Sequence, residues 1–121
     1  MAQNAEDRSC ITQFELGEMF EKDDRARDYP SAFRWYLHSA KHGYRKAQHR
    51  LGTMYARGQG AAQDYVQAYA WLKVAAFQKS KCAKRKLEVI EAKLPLEQLR
   101  RGRWLAQDYY DRFVIGRHKL N

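Results

Sequence analysis

The sequence is short of what a cross-linked, metal-bound or membrane-embedded protein needs. Its 121 residues include two cysteines, Cys10 and Cys82. Two thiols make neither a disulfide framework nor a four-cysteine zinc site. Two prolines and seven glycines leave few of the breaks a many-stranded β-sandwich would use. Apolar runs end after a handful of residues, whereas a membrane-spanning helix needs about twenty. The opening Met1-Ala2-Gln3-Asn4-Ala5-Glu6-Asp7 has neither a basic start nor an apolar stretch, so no secretory signal is expected. Together these absences make a reducing cytoplasm the expected compartment.

Positive charge, by contrast, is abundant. There are 23 Lys and Arg against 14 Asp and Glu, a formal charge of +9. That excess favours an acidic partner, whether protein, nucleic acid or anionic surface. Hydrophobic residues at 45% and charged residues at 31% fit one globular domain spanning 1–121.

The chain repeats itself. Leu16-Gly17-Glu18-Met19-Phe20 returns as Leu51-Gly52-Thr53-Met54-Tyr55, 35 positions later. Asp28-Tyr29, Ala32, Trp35 and Ala40 return as Asp64-Tyr65, Ala68, Trp71 and Ala76, 36 positions later. Ala47 and Leu51 recur once more as Ala83 and Leu87. Two repeats are expected at about 12–46 and 47–82, then a half repeat at 83–94 and a capping helix at about 96–115.

Each repeat reads as two helices. Ala47, Leu51, Met54 and Tyr55 form an apolar stripe at helical spacing. Gly58 and Gly60 end that helix by permitting positive φ. Asp64 caps the next one, with Gln67 placed for a capping box; Asp28 and Pro30 do the equivalent work in the first copy. Helices are expected over 9–22, 29–42, 44–57, 65–79, 80–93 and 96–115, and no stretch alternates with period two. The expected class is all-α. Leu99, Gly102, Ala106, Tyr109, Tyr110 and Phe113 share one face of the last helix and are expected to cover the open end of the array. Trp35 and Trp71, at one repeated position, are both expected in the core.

The pattern Ala47-x3-Leu51-Gly52-x-Met54-Tyr55-x2-Gly58-x-Gly60-x3-Asp64-x3-Ala68-x2-Trp71-x3-Ala75-Ala76 strongly resembles the Sel1-like repeat, a relative of the tetratricopeptide repeat. Lys79 stands where that family usually has glycine. Leu94-Pro95-Leu96-Glu97-Gln98-Leu99 is similar to the stretch that often follows the last repeat. The resemblance implies a short right-handed α-α solenoid and an adaptor that assembles partner proteins. The paired cysteines of the secreted subgroup are missing. Fold analogy supplies no site.

A solenoid of this kind binds along a concave face lined by the first helix of each pair. Lys46, His49, Arg50, Thr53 and Arg57 are expected there, with Cys82, Arg85, Lys86, Val89 and Lys93 in the third copy. Ile11, Phe14, Glu15, Glu18 and Glu21 are the first copy's set. One end is then basic and the other acidic with an aromatic. An acidic segment of a partner protein held by Lys46, Arg50, Arg85 and Lys86 is one reading, with Phe14 and Val89 adding apolar contacts. A merely solvated charged face is the other. The runs Lys41–Lys46 and Lys79–Lys86 are expected to stack in space. Phosphate contacts to nucleic acid or an anionic nucleotide are the alternative use of them, although no phosphate loop or recognition motif accompanies them.

Trp104 falls opposite the buried face of the last helix, among Arg100, Arg101, Asp108 and Asp111. It is either an interface anchor, open to self-association, or covered by a bend of the helix or by the C-terminal tail folding back. His38 and His42 lie four apart with no third ligand implied, so no metal or other cofactor is expected. Cys82 lacks a fixed base and the acidic pairs lack an apolar pocket, so no enzyme is expected.

Overall fold

The computed structural model describes residues 2–25 and 27–116, with side chains from Ser9 onward. Among the described residues six α-helices follow one another: α1 (Ala2–Lys22), α2 (Tyr29–Lys41), α3 (Arg45–Arg57), α4 (Tyr65–Phe77), α5 (Lys81–Lys93) and α6 (Leu96–Tyr110). A π-helical turn over Asp111–Ile115 continues α6. The described residues contain no strand, and the all-α expectation holds. The first helix begins at Ala2 rather than near Ser9, because neither glycine nor proline interrupts residues 2–8.

Side-chain caps start three helices. Asp28 accepts from the Ser31 amide at 3.0 Å, Asp64 from those of Val66 and Gln67, and Ser80 from that of Ala83. Such a cap is worth about 1 kcal/mol. The expected capping box at Gln67 does not close on its own helix. The Tyr109 hydroxyl donates to the Gln67 side-chain Oε1 at 2.9 Å instead, tying α4 to α6. Between the second helix of one repeat and the first of the next, Gly43 and Lys79 both have positive φ, 86° and 69°. Lys79 therefore carries a left-handed backbone that glycine adopts without a steric cost.

The helices pack in sequence: α1 on α2, α2 on α3, α3 on α4 and α4 on α5. The first core holds Phe14, Ala32, Tyr36, Ala40, Ala47, Leu51, Met54 and Trp71. Burying a side chain such as Leu51 completely contributes about 1.5–3 kcal/mol. The buried side chains of Ser39 and Gln48 are partnered on neighbouring elements. Ser39 donates to the Cys10 carbonyl at 2.6 Å, and fully buried Gln48 donates to the Ala40 carbonyl at 3.1 Å while accepting from Gln78 at 2.8 Å.

Within each pair the helices meet at a glycine. A Cβ on Gly52 would lie 2.7 Å from Leu72 Cγ and 3.1 Å from the Ala68 carbonyl oxygen. One on Gly17 would lie 2.7 Å from the Tyr36 ring. The matching position in the third copy is Glu88, which is exposed. No second helix docks there. Instead α6 lies on α4, with Gly102 against Tyr69 and Ala106 buried beside Ala70 and Val74. Tyr109 and Phe113 stack on Trp71 at 4.6 and 5.8 Å.

The two repeated tryptophans therefore differ, contrary to the sequence expectation. Trp71 is 2% exposed, whereas Trp35 is only half-buried. The reason is the path of α6, which runs over α4 and brings only its π-helical continuation to α2.

Candidate functional site

The first helices of successive repeats, α1, α3 and α5, contribute side chains to one face. Its two halves are chemically different. Between α1 and α3 the charges are satisfied internally. Arg50 donates to Glu21 at 2.8 Å and lies 3.7 Å from Glu18. The Tyr36 hydroxyl also donates to Glu21, at 2.6 Å. The guanidinium stands 5.8 and 5.7 Å from the Phe14 and Tyr36 ring centroids, a cation–π arrangement. Burial, followed by the bond to Glu21, pushes the Tyr36 phenol far above its usual pKa. Tyr36 stays a donor at every working pH.

Between α3 and α5 the charges are not satisfied that way. A depression of about 350 Å³ is lined by Arg45, Lys46, His49, Lys79, Ser80, Lys81 and Cys82. The expected stacking of the two basic runs occurs here, where the start of α3 faces the start of α5. A second cavity, about 210 Å³, is lined by Thr53, Ala56, Arg57, Leu72, Lys86, Val89 and Ile90. Lys86 reaches across it and donates to Thr53 Oγ1 at 2.9 Å. Burial, then the nearby Arg57 and Arg50, lowers the Lys86 pKa. Neither Arg57 nor Lys86 has an ion-pair partner among the described residues.

The sequence-predicted groove residues sort accordingly. Lys46, Arg57 and Val89 are exposed where they line the two depressions, Val89 at 56%, and Arg85 is exposed on α5. His49 and Lys86 are half-buried between α3 and α5. Thr53 is present but 6% exposed, its hydroxyl donating to the His49 carbonyl and accepting from Lys86. Two expectations need correction. Phe14 is not an apolar contact at the groove edge. It is 7% exposed and packs against Tyr36 and Tyr44 at 5.4 and 5.3 Å, because Arg50 closes over it. Arg50 itself is bound to two carboxylates of the preceding repeat and is not an open cation. Sequence reasoning missed Tyr36 and Leu72, which shape the two halves. Their signal was the repeat offset, which puts tyrosine and leucine at one structural position.

His49 carries a titration that is readable in solution. Its Nε2 is buried without a hydrogen-bond partner among the described residues. Burial, then Lys86 and Arg50, lowers its pKa from 6.5 to about 4. The unfolded chain therefore binds a proton that the folded chain refuses, and stability falls as pH drops from 6.5 towards about 4. Denaturation midpoints across that range are expected to fall less steeply in His49→Gln; equal slopes would show that His49 is not the titrating group.

Outside the groove, Trp104 is 67% exposed on the outer side of α6. The tail that was the other candidate to cover it includes residues 117–121, which lie outside the described residues. His42 Nδ1 is 3.0 Å from Gln13 Oε1, and the described residues contain no group of three His, Cys, Asp or Glu arranged to hold a metal ion. No helix among them is long and apolar enough to cross a membrane.

Comparison with known proteins agrees with this architecture. The Sel1 repeat family model matches residues 11–44 and 45–78. A protective antigen of uropathogenic Escherichia coli strains, displaying an SLR fold, is 28% identical over 88% of this chain, with a TM-score of 0.83. A Sel1 repeat protein from Oxalobacter formigenes is 28% identical over 90% of this chain, with a TM-score of 0.65. The chain spans 23% and 47% of the lengths of those two proteins. Among curated proteins there is no match. Sel1 repeats generally act as protein-interaction adaptors. With two consecutive repeats matched and the solenoid in place, the chain belongs to the Sel1 repeat family.

Proposed function

We propose that this chain is a protein-interaction adaptor that holds an acidic segment of a partner protein along the α3–α5 half of its groove. The charge asymmetry of the face carries the reading. Arg50 is neutralised by Glu18 and Glu21, while Lys46, Arg57, Lys81, Arg85 and Lys86 have no ion-pair partner among the described residues. Cations gathered on one half of a face attract an acidic chain and orient it, acting more on association rate and specificity than on final affinity. The reading assigns no catalytic residue and no cofactor. The depression lined by Arg45, Lys46, Lys79 and Lys81 favours a second reading, in which nucleic acid or an anionic nucleotide occupies the same cations.

Affinity capture from lysate, with and without nuclease, separates the two. Lys46→Glu/Arg85→Glu is the matched variant, since both side chains are exposed. A protein that survives nuclease and is lost with the variant supports the adaptor. Nuclease-sensitive recovery supports the nucleic-acid reading. A protein retained by the variant overturns the basic groove.

A further inference from the structure

The repeat offsets place the two junctions between successive first helices in register. At the first junction Glu18, Glu21, Tyr36 and Arg50 meet. Offsets of 35 residues for the first helix and 36 thereafter convert these positions into Thr53, Ala56, Leu72 and Lys86. Both carboxylates have gone, a phenol has become an isobutyl group, and a guanidinium has become an ammonium. The backbone plan is the same at both junctions, so the lost atoms leave space. That space is the cavity of about 210 Å³, and Thr53, Ala56, Leu72 and Lys86 all line it.

The cation has stayed although its counter-charges have not. Lys86 is half-buried, bonds only the Thr53 hydroxyl, and shares the cavity lining with the like charge of Arg57. A buried cation is stabilised by a paired anion and disfavoured without one. Beside Lys86 on α5, Val89 and Ile90, with Leu72 of α4 at the position of Tyr36, offer the cavity an apolar lining.

We propose that this cavity receives a glutamate or aspartate carboxylate on Lys86, Thr53 and Arg57, with a neighbouring aromatic side chain of the same partner segment against Leu72, Val89 and Ile90. The proposal rests on the acidic-segment reading above and gives that segment its anchoring residues. The incoming pair replaces, from another protein, what Glu18, Glu21 and Tyr36 supply within this one.

The test uses the isotope-labelled full chain and three blocked peptides, Ac-Glu-Glu-Tyr-Glu-Glu-NH2 and its Gln-for-Glu and Ala-for-Tyr counterparts, followed by amide shifts. Blocked ends ensure that only side-chain carboxylates are offered. Shifts from the first peptide are expected to centre on Thr53, Arg57, Lys86 and Val89. Affinity is expected to fall at least about tenfold with the Gln peptide and with Lys86→Gln, the scale of one charged hydrogen bond, and to weaken with the Ala peptide. Thr53→Glu restores the first-junction residue beside Lys86. It is expected to raise the melting temperature and to block the peptide. Equal binding of the Glu and Gln peptides, or a Lys86→Gln chain that binds as wild type, overturns the proposal. Shifts gathered around Lys46 and Lys81 reject this cavity but leave the acidic groove standing. No shift anywhere rejects both.

Discussion

Arg50→Glu is expected to lose about 3–5 kcal/mol of folding stability, the scale of breaking a buried ion pair so that its partner charges stand alone. The substitution places a third carboxylate where the guanidinium had been 2.8 Å from Glu21 and 3.7 Å from Glu18. The sites are shielded: the Arg50, Glu18 and Glu21 side chains are 26%, 28% and 17% exposed. Phe14 and Tyr36 lose the cation above their rings as well. A domain with about 5–15 kcal/mol in hand then approaches unfolding at moderate temperature. Urea denaturation followed by circular dichroism reads the effect. Lys46→Glu/Arg85→Glu, made at exposed sites, is expected to stay within about 0.5 kcal/mol of wild type. An Arg50→Glu midpoint equal to wild type would show that the network adds nothing to the fold. The contrast also determines which charge reversals can report on binding, since a partner lost with Arg50→Glu would report the loss of the fold.

Gly52→Val is expected to destabilise by about 3 kcal/mol, the upper end of the ordinary cost of overpacking. The β-carbon alone would sit 2.7 Å from Leu72 Cγ and 3.1 Å from a backbone oxygen, and the two methyl groups reach further. Leu72 is 1% exposed and cannot swing aside. The gain in helix propensity on removing a glycine is less than about 1 kcal/mol and offsets only part of the loss. Glu88→Gly at the corresponding position of the third copy is expected to cost about 1 kcal/mol, since it changes only propensity on an exposed helix. Thermal melts of the two variants check the pair; similar losses from both would show that Gly52 is not a contact point.

Helices, caps and repeat length were legible because each depends on local chemistry: Asp28, Asp64 and the alanine-glycine spacing speak for themselves in one dimension. The groove was legible only as a set of positions. Sequence alone placed Arg50 among open groove cations, but its engagement depends on carboxylates 29 and 32 residues earlier. Phe14 was misread for the same reason, since the group that covers it comes from the next repeat. Trp35 was misread because its covering depends on where α6 travels, and nothing in a periodic pattern fixes the path of a non-periodic element. Comparing Tyr36 with Leu72 would have revealed the second cavity, because a repeat is its own reference.

The glycine contact inside each helix pair has a consequence for growth. A modular array extends by adding units, and each unit needs a flat landing place for its second helix. Gly17 and Gly52 provide one; Glu88 puts a side chain with three further heavy atoms beyond Cγ in the way. In the third unit that place carries a side chain, and the helix that follows, α6, packs on α4 instead. With α6 seated on α4, Arg85, Glu88 and Val89 remain exposed along α5.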